Sequence, residues 1–243
     1  MKQRTMLDKE AFEKFVRPDT GEIIEVRGLK IFGPNPGVYE GYAKGTVAGY
    51  FDNHEALVKA VKPAMQLPGA QLYMTLQVIN PELIGRACNR LKPAANTTGD
   101  QDVIAYRWLF VDLDPVRPSG VSSSDEELAA AMEMREEIAE FCTREYGFAS
   151  PVKAMSGNGA HLLFPLADLP AQDDKVQKFI KQTLVGLDRK FTNKKVEIDA
   201  TVCNPGRITK LYGAKACKGD PVPGGARRTR RPHRLSYIDS LGE

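Results

Sequence analysis

The stretch RWLFVDLDPVRPSG, residues 107–120, is the part of the sequence that decides the fold. Its apolar run, residues 108–111, predicts a buried strand. Asp112 and Asp114 follow at the end of that strand, and a proline and a glycine then end the extended segment. Because alternate residues of a strand point to the same face, we expect the two carboxylates to lie side by side at the end of this strand.

The composition is that of an ordinary globular protein. The chain has 243 residues, of which 42% are hydrophobic and 27% charged, enough for one large domain or two small ones. No apolar run approaches the roughly 18 residues of a membrane span, and the N-terminal stretch MKQRTMLDKEAFEKFV has no signal-peptide segment. We therefore expect a cytoplasmic protein without a membrane partner. The four cysteines form no CxxC pair, which argues against a zinc ribbon or a disulfide framework.

Positive charge is concentrated at the C-terminal end. Residues 201–243 hold nine Lys and Arg side chains and three acids, a net charge of +6, whereas the whole chain carries +3. A basic end on a slightly acidic body suggests a polyanionic partner such as nucleic acid or a nucleotide. A solvated surface would give the same pattern.

Strand and helix patterns divide the chain near residue 103. Residues 1–103 predict an N-terminal α/β module with a hairpin, one strand in AQLYMTLQVI and a helix in PELIGRACNRL. Residues 104–243 predict strand, helix, hairpin, helix, strand, strand, a palm-like α+β unit whose mostly antiparallel sheet is backed by helices. Ser124 and Glu127 form a capping box for the first of these helices, and Phe179 belongs to the buried stripe of the second.

Acids at the ends of two predicted strands suggest a metal site. Asp112 and Asp114 share a face, and Asp199 closes the strand KVEID, two residues after Glu197. Adjacent carboxylates raise each other's pKa unless a cation lies between them, and oxygen ligands suit Mg²⁺ or Mn²⁺. Three such acids could hold two cations, the usual arrangement for phosphoryl transfer. Taken singly, each acid is more simply explained by a strand that ends in a turn.

The stretch MSGNGAHLLF is the most specific part of the sequence. Gly157, Asn158 and Gly159 permit positive φ and predict a tight turn, with Ser156 before the turn and His161 at the start of the next strand. Exposed backbone amides, a hydroxyl and an imidazole at such a turn would make a phosphate cradle. An ordinary hairpin that carries a serine and a histidine by chance stays an open alternative.

Two cations, Arg207 and Lys210, lie in the strand-like segment GRITKLYG. Arginine suits bidentate contact with phosphate and lysine acts as a point charge. Because they are three residues apart, they face opposite sides of a regular strand, and a bulge or bend would be needed to bring both to one ligand. Otherwise they are two solvated cations.

Taken in order, FVDLD, SGNGAHLLF and VEID resemble the three signature motifs of the archaeo-eukaryotic primase superfamily, namely an acid pair, a Ser/His motif and a third acid. The likeness is strongest to the primase-polymerases of phages, plasmids and mobile elements. The stretches NPGRITKLYGA, KGD and RPHRLS of this chain resemble further segments of that subgroup. The resemblance covers about residues 100–238. It implies an α+β catalytic core with an RRM-like palm, preceded by the N-terminal α/β module and packed with it as one domain.

The resemblance also implies two groups of site residues, and the positive charge of the basic segment predicts a third. Those that would hold two divalent ions, Mg²⁺ or Mn²⁺, are Asp112, Asp114 and Asp199. Those that would bind the triphosphate of an incoming dNTP or NTP are Ser156, Asn158, His161, Arg207 and Lys210. Those that would contact DNA in the basic segment are Arg228, Arg231, His233 and Arg234.

The sequence therefore predicts a DNA primase-polymerase, a nucleotidyltransferase that makes or extends primers on a single-stranded DNA template by a two-metal mechanism. If the chain is the catalytic part of a longer protein, its partner there would be a helicase or another replication or CRISPR-associated domain. Two alternatives stay open, a non-catalytic module that binds single strands or origins and a metal-dependent nuclease.

Overall fold

The computed structural model describes residues 3–242. In this range the α-helices are α1 Lys9–Phe15, α2 His54–Ala64, α3 Asp125–Tyr146 and α4 Asp174–Phe191. The strands are β1 Ile24–Asn35, β2 Tyr39–Phe51, β3 Gln71–Thr75, β4 Val78–Ile79, β5 Lys92–Pro93, β6 Val103–Pro115, β7 Val152–Met155, β8 Ala160–Pro170, β9 Val196–Ile198, β10 Ile208–Lys210 and β11 Tyr237–Ser240. Short 3₁₀ helices cover Pro18–Thr20, Pro81–Arg86 and Asp100–Asp102.

The quoted stretch forms the centre of one sheet, named here the palm sheet. Its strand order is β11-β7-β8-β6-β4, with β9 also paired to β6, and every pair is antiparallel. Helix α3 packs against β6 and β8, and α4 packs against β9. Leu109, Val111 and Leu113, at alternate positions of β6, are fully buried. This alternation leaves Asp112 and Asp114 on the opposite face, as predicted.

A second sheet, the N-terminal sheet, has the strand order β10-β3-β1-β2-β5 and is also antiparallel throughout. Strands β1 and β2 form a long hairpin closed by residues 36–38. Asn53 caps the start of helix α2, because its side chain accepts a hydrogen bond from the amide of Ala56. Leu57 and Val61 on this helix are fully buried.

The two sheets exchange strands. Strand β10, from the second half of the chain, extends the N-terminal sheet, and β4, from the first half, extends the palm sheet. One contiguous apolar core spans both sheets, and the buried Arg107 joins them further by donating to Glu22 and Asp168. The structure thus has no simple break at residue 103. The division into 1–103 and 104–243 stays a prediction, and its residues 1, 2 and 243 lie outside the described range.

Three local predictions are wrong. The segment AQLYMTLQVI is split between the sheets at Gln77, because this side chain bonds the backbone of Arg107 and Trp108 in β6. The segment PELIGRACNRL forms only a 3₁₀ helix, because its backbone turns to pair with Tyr50 of β2. Phe179 is 41% exposed rather than part of the buried stripe of α4.

The capping box predicted for the start of α3 is confirmed. Ser124 and Glu127 make the reciprocal bonds of a capping box, and Gly147 ends the helix in the left-handed conformation with φ of 66°. The fold is therefore α+β, with antiparallel sheets backed by helices, as the sequence predicted.

None of the helices in the described part of the chain is both long and apolar enough to span a membrane.

Candidate functional site

A cavity of about 500 Å³ lies where the palm sheet and the N-terminal sheet meet. This volume is in the range of small-molecule sites. Residues from both halves of the chain line it: Lys30, Gln71, Tyr73, Asp112, Asp114, Arg117, Ser156, Asn158, His161, Arg207, Ile208, Thr209, Lys210, Ala216, Lys218 and Gly219. The structure therefore gathers two of the three predicted metal ligands and all five predicted triphosphate-binding residues around one space.

Three predicted site residues form a row across the palm sheet. Asp112 is paired with His161 of β8 on one side, and on the other side the amide of Asp199, just after β9, donates to the carbonyl of Asp112. Residues directly opposite each other in antiparallel strands share a face. The sheet thus places all three side chains on the face that also carries Asp114.

The two central carboxylates differ in their electrostatics. Burial opposes ionisation of Asp112, but the contact with His161 and the charges of Arg207 and Lys218 outweigh it, so the pKa of Asp112 lies below its ordinary value. The pKa of Asp114 is raised, first by burial and then by the neighbouring charge of Asp112. The repulsion expected between adjacent carboxylates is therefore present, and it contributes to the raised pKa of Asp114.

His161 is held from both sides of its ring. Its Nε2 lies 3.3 Å from Oδ1 of Asp112, and its Nδ1 lies 2.9 Å from the hydroxyl of Tyr212 and 3.3 Å from that of Thr209. Because a carboxylate accepts only, Nε2 carries the proton and Nδ1 accepts from a hydroxyl in the neutral ring. Phe110 packs edge-on against the imidazole at 4.9 Å between ring centroids. The ring orientation is thus fixed before any ligand arrives.

The turn before His161 is shaped by close contacts more than by φ angles. Only Gly157 of the three turn residues has a positive φ, 107°. A Cβ on Gly159 would lie 2.2 Å from the carbonyl oxygen of Leu113, so this position must be glycine for the turn to approach β6. The predicted turn between β7 and β8 is present, but only one of its three residues adopts the positive φ that all three permit.

The turn amides do not form the expected phosphate cradle. The amide of Ser156 donates to the carbonyl of Gly159, that of Gly157 to the sulfur of Met155, and that of Gly159 to the Ser156 hydroxyl. Asn158 is buried and is bonded to Ser123 and to the carbonyl of Lys218. The Ser156 hydroxyl and the His161 ring are the parts of this motif that can face a ligand.

A second wall of the cavity comes from the N-terminal sheet and is basic. Lys210 is 6% exposed, its ammonium lies 4.8 Å from the centre of the Tyr73 ring, and burial lowers its pKa to about 8. Arg207 immediately precedes β10 rather than lying within it, so both cations reach the same cavity despite their spacing. Lys30, Arg117 and Lys218 add further positive charge.

The acidic pair fits a divalent cation, whereas Asp199 is already engaged. Asp112 and Asp114 present oxygen ligands on one face, and a cation between them would relieve the raised pKa of Asp114. Asp199 instead accepts from Arg207 at 3.2 Å and from Thr201. Within residues 3–242, no group of three or more His, Cys, Asp or Glu side chains is arranged to hold a metal ion. A second cation would need Asp199 to exchange its arginine.

The basic segment separates into two kinds of arginine. Arg231 makes two hydrogen bonds with Glu127 at 2.6 and 2.7 Å, and Arg234 bonds Asp125 at 2.6 Å and the loop before α3. His233 faces the carbonyl of Gly219 at 2.8 Å. Arg228 is exposed at the tip of a small hairpin. Of the four residues expected to bind DNA, three brace the loops around the cavity, and only Arg228 projects freely to the surface.

Several cavity residues were missed at the sequence level. They are Lys30, Gln71, Tyr73, Arg117, Thr209, Tyr212 and Lys218. Arg117 lies in RWLFVDLDPVRPSG, Thr209 and Tyr212 lie in NPGRITKLYGA, and Lys218 lies in KGD, but none of these four residues was itself predicted to belong to the site. The N-terminal members gave no local signal, because their place in the site depends on the pairing of β10 with β3.

Fold and site together define an α+β protein with an acidic pair facing a basic wall across one cavity. No family model and no curated protein matches the chain. Among solved structures it is similar to the polymerase domain of Mycobacterium tuberculosis Ligase D in complex with DNA, with 15% identity, 97% of this chain and 80% of that chain covered, and a TM-score of 0.47. It is also similar to primase RepB′, with 12% identity, 97% and 56% covered, and a TM-score of 0.42.

Proposed function

We propose that the protein is a DNA primase-polymerase that transfers nucleotides to a primer strand on a single-stranded DNA template. The observation that carries the proposal is the cavity itself. Two carboxylates, an oriented imidazole and five cationic side chains face a space of about 500 Å³, and this combination suits a nucleoside triphosphate better than a neutral ligand.

The basic wall supplies the binding of the triphosphate. Arg207 and Lys210 would neutralise its charge, the Ser156 hydroxyl would donate to it, and His161 would donate from Nε2 once this group exchanges Asp112 for the phosphate. Since Tyr212 and Asp112 already fix the imidazole, His161 loses little side-chain freedom when the nucleotide binds.

The acidic wall is the place for the divalent cation, Mg²⁺ or Mn²⁺. Asp112 and Asp114 would hold it, and Asp199 would join them for a second ion after Arg207 moves to the triphosphate. Bound there, the cations would stabilise the charge of the phosphate and favour ionisation of the attacking 3′-hydroxyl. Asp114, which is the less readily ionised of the pair without a cation, becomes fully charged when one is bound.

The test is extension of a labelled primer on a single-stranded template with dNTPs or NTPs and Mg²⁺ or Mn²⁺. Asp112→Asn and Asp114→Asn should each lower the extension rate by at least about a hundredfold. Glu133 is an exposed carboxylate on α3, and Glu133→Gln should extend the primer at the rate of the parent. Asp114→Asn should also keep its thermal stability, because it removes a charge that burial and Asp112 both disfavour.

Extension by the Asp variants at the parental rate would refute the proposal. Release of nucleotides from DNA without added triphosphate would indicate a nuclease instead. Tight DNA binding with no nucleotide binding, measured by calorimetry in the presence of Mn²⁺, would indicate a non-catalytic binding module.

A further inference from the structure

The β1–β2 hairpin carries two aromatic side chains that the fold does not use. Phe32 is 69% exposed and Tyr42 is 66% exposed, the two highest values among the large apolar side chains of the described residues. Isolated exposed aromatics are common, but these two lie on one hairpin. Their neighbours along the strands, Ile31 and Ala43, are buried, so the hairpin has a core face and an outer aromatic face.

Strand register places the aromatics and a lysine on the same outer face. Phe32 is paired with Lys44, and Tyr42 lies two residues from Lys44 on β2, so all three side chains point the same way. A Cβ built on Gly45 would lie 3.4 Å from the Phe32 ring. The ring therefore covers the neighbouring strand at this glycine and presents its other side to solvent.

The outer face is continuous with the cavity. Lys30, at the bulge of β1 with φ of 60°, lines the cavity and stands two residues from Phe32. Leu29 is paired with Gln71 of β3, which lines the same cavity. A nucleic-acid strand that leaves the cavity along this sheet would contact Lys30 first and then the two aromatic rings with Lys44.

We propose that the outer face of the β1–β2 hairpin, formed by Lys30, Phe32, Tyr42 and Lys44, is a stacking platform for unpaired bases of a single-stranded DNA. Aromatic rings interleaved with cations suit this ligand, because every base has a flat face and every nucleotide a phosphate. A contact with a protein would not need the lysines. That the bound DNA serves as a template rests on the proposed function, whereas the binding of single-stranded DNA to this face does not.

The test measures binding of a fluorescein-labelled 20-nucleotide (dT) strand to the whole protein by anisotropy, without nucleotide or metal. Phe32→Ala and Tyr42→Ala should each weaken binding by about tenfold. Phe32→Trp and Tyr42→Phe should bind like the parent, because stacking needs a ring and not a hydroxyl. Tyr146→Ala removes a ring of 61% exposure at the end of α3 and should bind like the parent. Lys44→Ala should reduce the salt dependence of binding by about one phosphate contact.

Separate outcomes overturn this inference and the proposed function. If Phe32→Ala and Tyr42→Ala bind the strand like the parent, or if they weaken a duplex of the same length equally, the platform is refuted. If they change only the sedimentation of the protein, the face joins copies of the chain and the inference is wrong. Because the (dT) strand is bound without nucleotide or metal, a parent protein that binds it through these rings but does not extend primers would confirm the platform and refute the proposed function.

Discussion

The two walls of the cavity differ in composition and in how the fold builds them. The palm wall consists of Asp112, Asp114 and His161, held on adjacent strands of one sheet. The opposite wall consists of Lys210 and Tyr73 on β10 and β3, with Lys30 beyond them. The acidic pair and Lys210 thus lie on separate sheets, whereas Arg117, in the segment after β6, pairs with Asp114 at 3.5 Å.

This separation matters for the chemistry. A carboxylate pair beside lysines on one strand would form ion pairs, and neither group would be available to a ligand. Across the cavity, Asp112 and Asp114 repel each other and burial depresses the charge of Lys210. The charged forms of Asp114 and Lys210 are therefore both disfavoured, and a cation bound to a triphosphate would stabilise both.

The largest expected effect comes from breaking the palm wall at Gly159. Alanine at this position would place its Cβ 2.2 Å from the carbonyl oxygen of Leu113. Backbone on both sides of the contact is held by strand pairing, so the turn or β6 must shift. We expect Gly159→Ala to lower the free energy of unfolding by about 2–3 kcal/mol and to abolish nucleotide binding, as measured by urea denaturation and calorimetry.

The matched control is Gly186→Ala. Gly186 is exposed on α4, and no atom lies within 4 Å of an added Cβ. Since alanine is the better helix former, this variant should be more stable than the parent by roughly 0.5–1 kcal/mol. If Gly159→Ala were as stable as Gly186→Ala, the close approach of the turn to β6 would be wrong.

The sequence predicted the palm wall far better than the basic wall. Asp112, Asp114 and His161 stand at strand ends or turns, where alternation and turn chemistry give each a local signal. Lys30 and Tyr73 have no such signal, because their position depends on β10 pairing with β3 across a long stretch of chain. Pairing between distant segments is not encoded in any short window, and for the same reason the sequence did not predict that the two halves exchange strands.

The engagement of Asp199 and Arg231 was also beyond the sequence. Each has the residue type that the motif requires, but the structure pairs Asp199 with Arg207 and Arg231 with Glu127. Which charge finds a partner inside the protein depends on three-dimensional distances. A charge count of the basic segment therefore overstates the positive charge that is free to meet DNA.

A smaller effect is expected from the basic wall, through the pH dependence of Lys210. Burial lowers its pKa to about 8, so it is charged below this pH and neutral above it. The KM for the nucleotide should therefore rise by up to about tenfold between pH 7 and pH 9. Lys210→Arg, which stays charged throughout this range, should give a flat profile.

Stability gives an independent readout of the same group. The unfolded chain keeps the ordinary, higher pKa of lysine, so it binds more protons than the folded protein from about pH 8 to pH 10. The contribution of Lys210 to stability should rise with pH across this window, and the melting temperature of Lys210→Met should lose that rise. An identical pH profile for parent and Lys210→Met would mean that the Lys210 ammonium is not buried.

The smallest effect is expected where the two walls touch. The Tyr212 hydroxyl, just beyond β10, lies 2.9 Å from Nδ1 of His161 in the palm wall. Tyr212→Phe removes one buried hydrogen bond, worth about 0.5–1.5 kcal/mol, and should raise the nucleotide KM by roughly two- to tenfold with little change in kcat. Tyr106→Phe removes a comparable hydroxyl, bonded to the carbonyl of Cys203, and should lower stability without changing KM. If Tyr212→Phe and Tyr106→Phe changed KM equally, the role of Tyr212 would be limited to packing in the core. The orientation of His161 would then be set by its own strand and not by its contact with Tyr212.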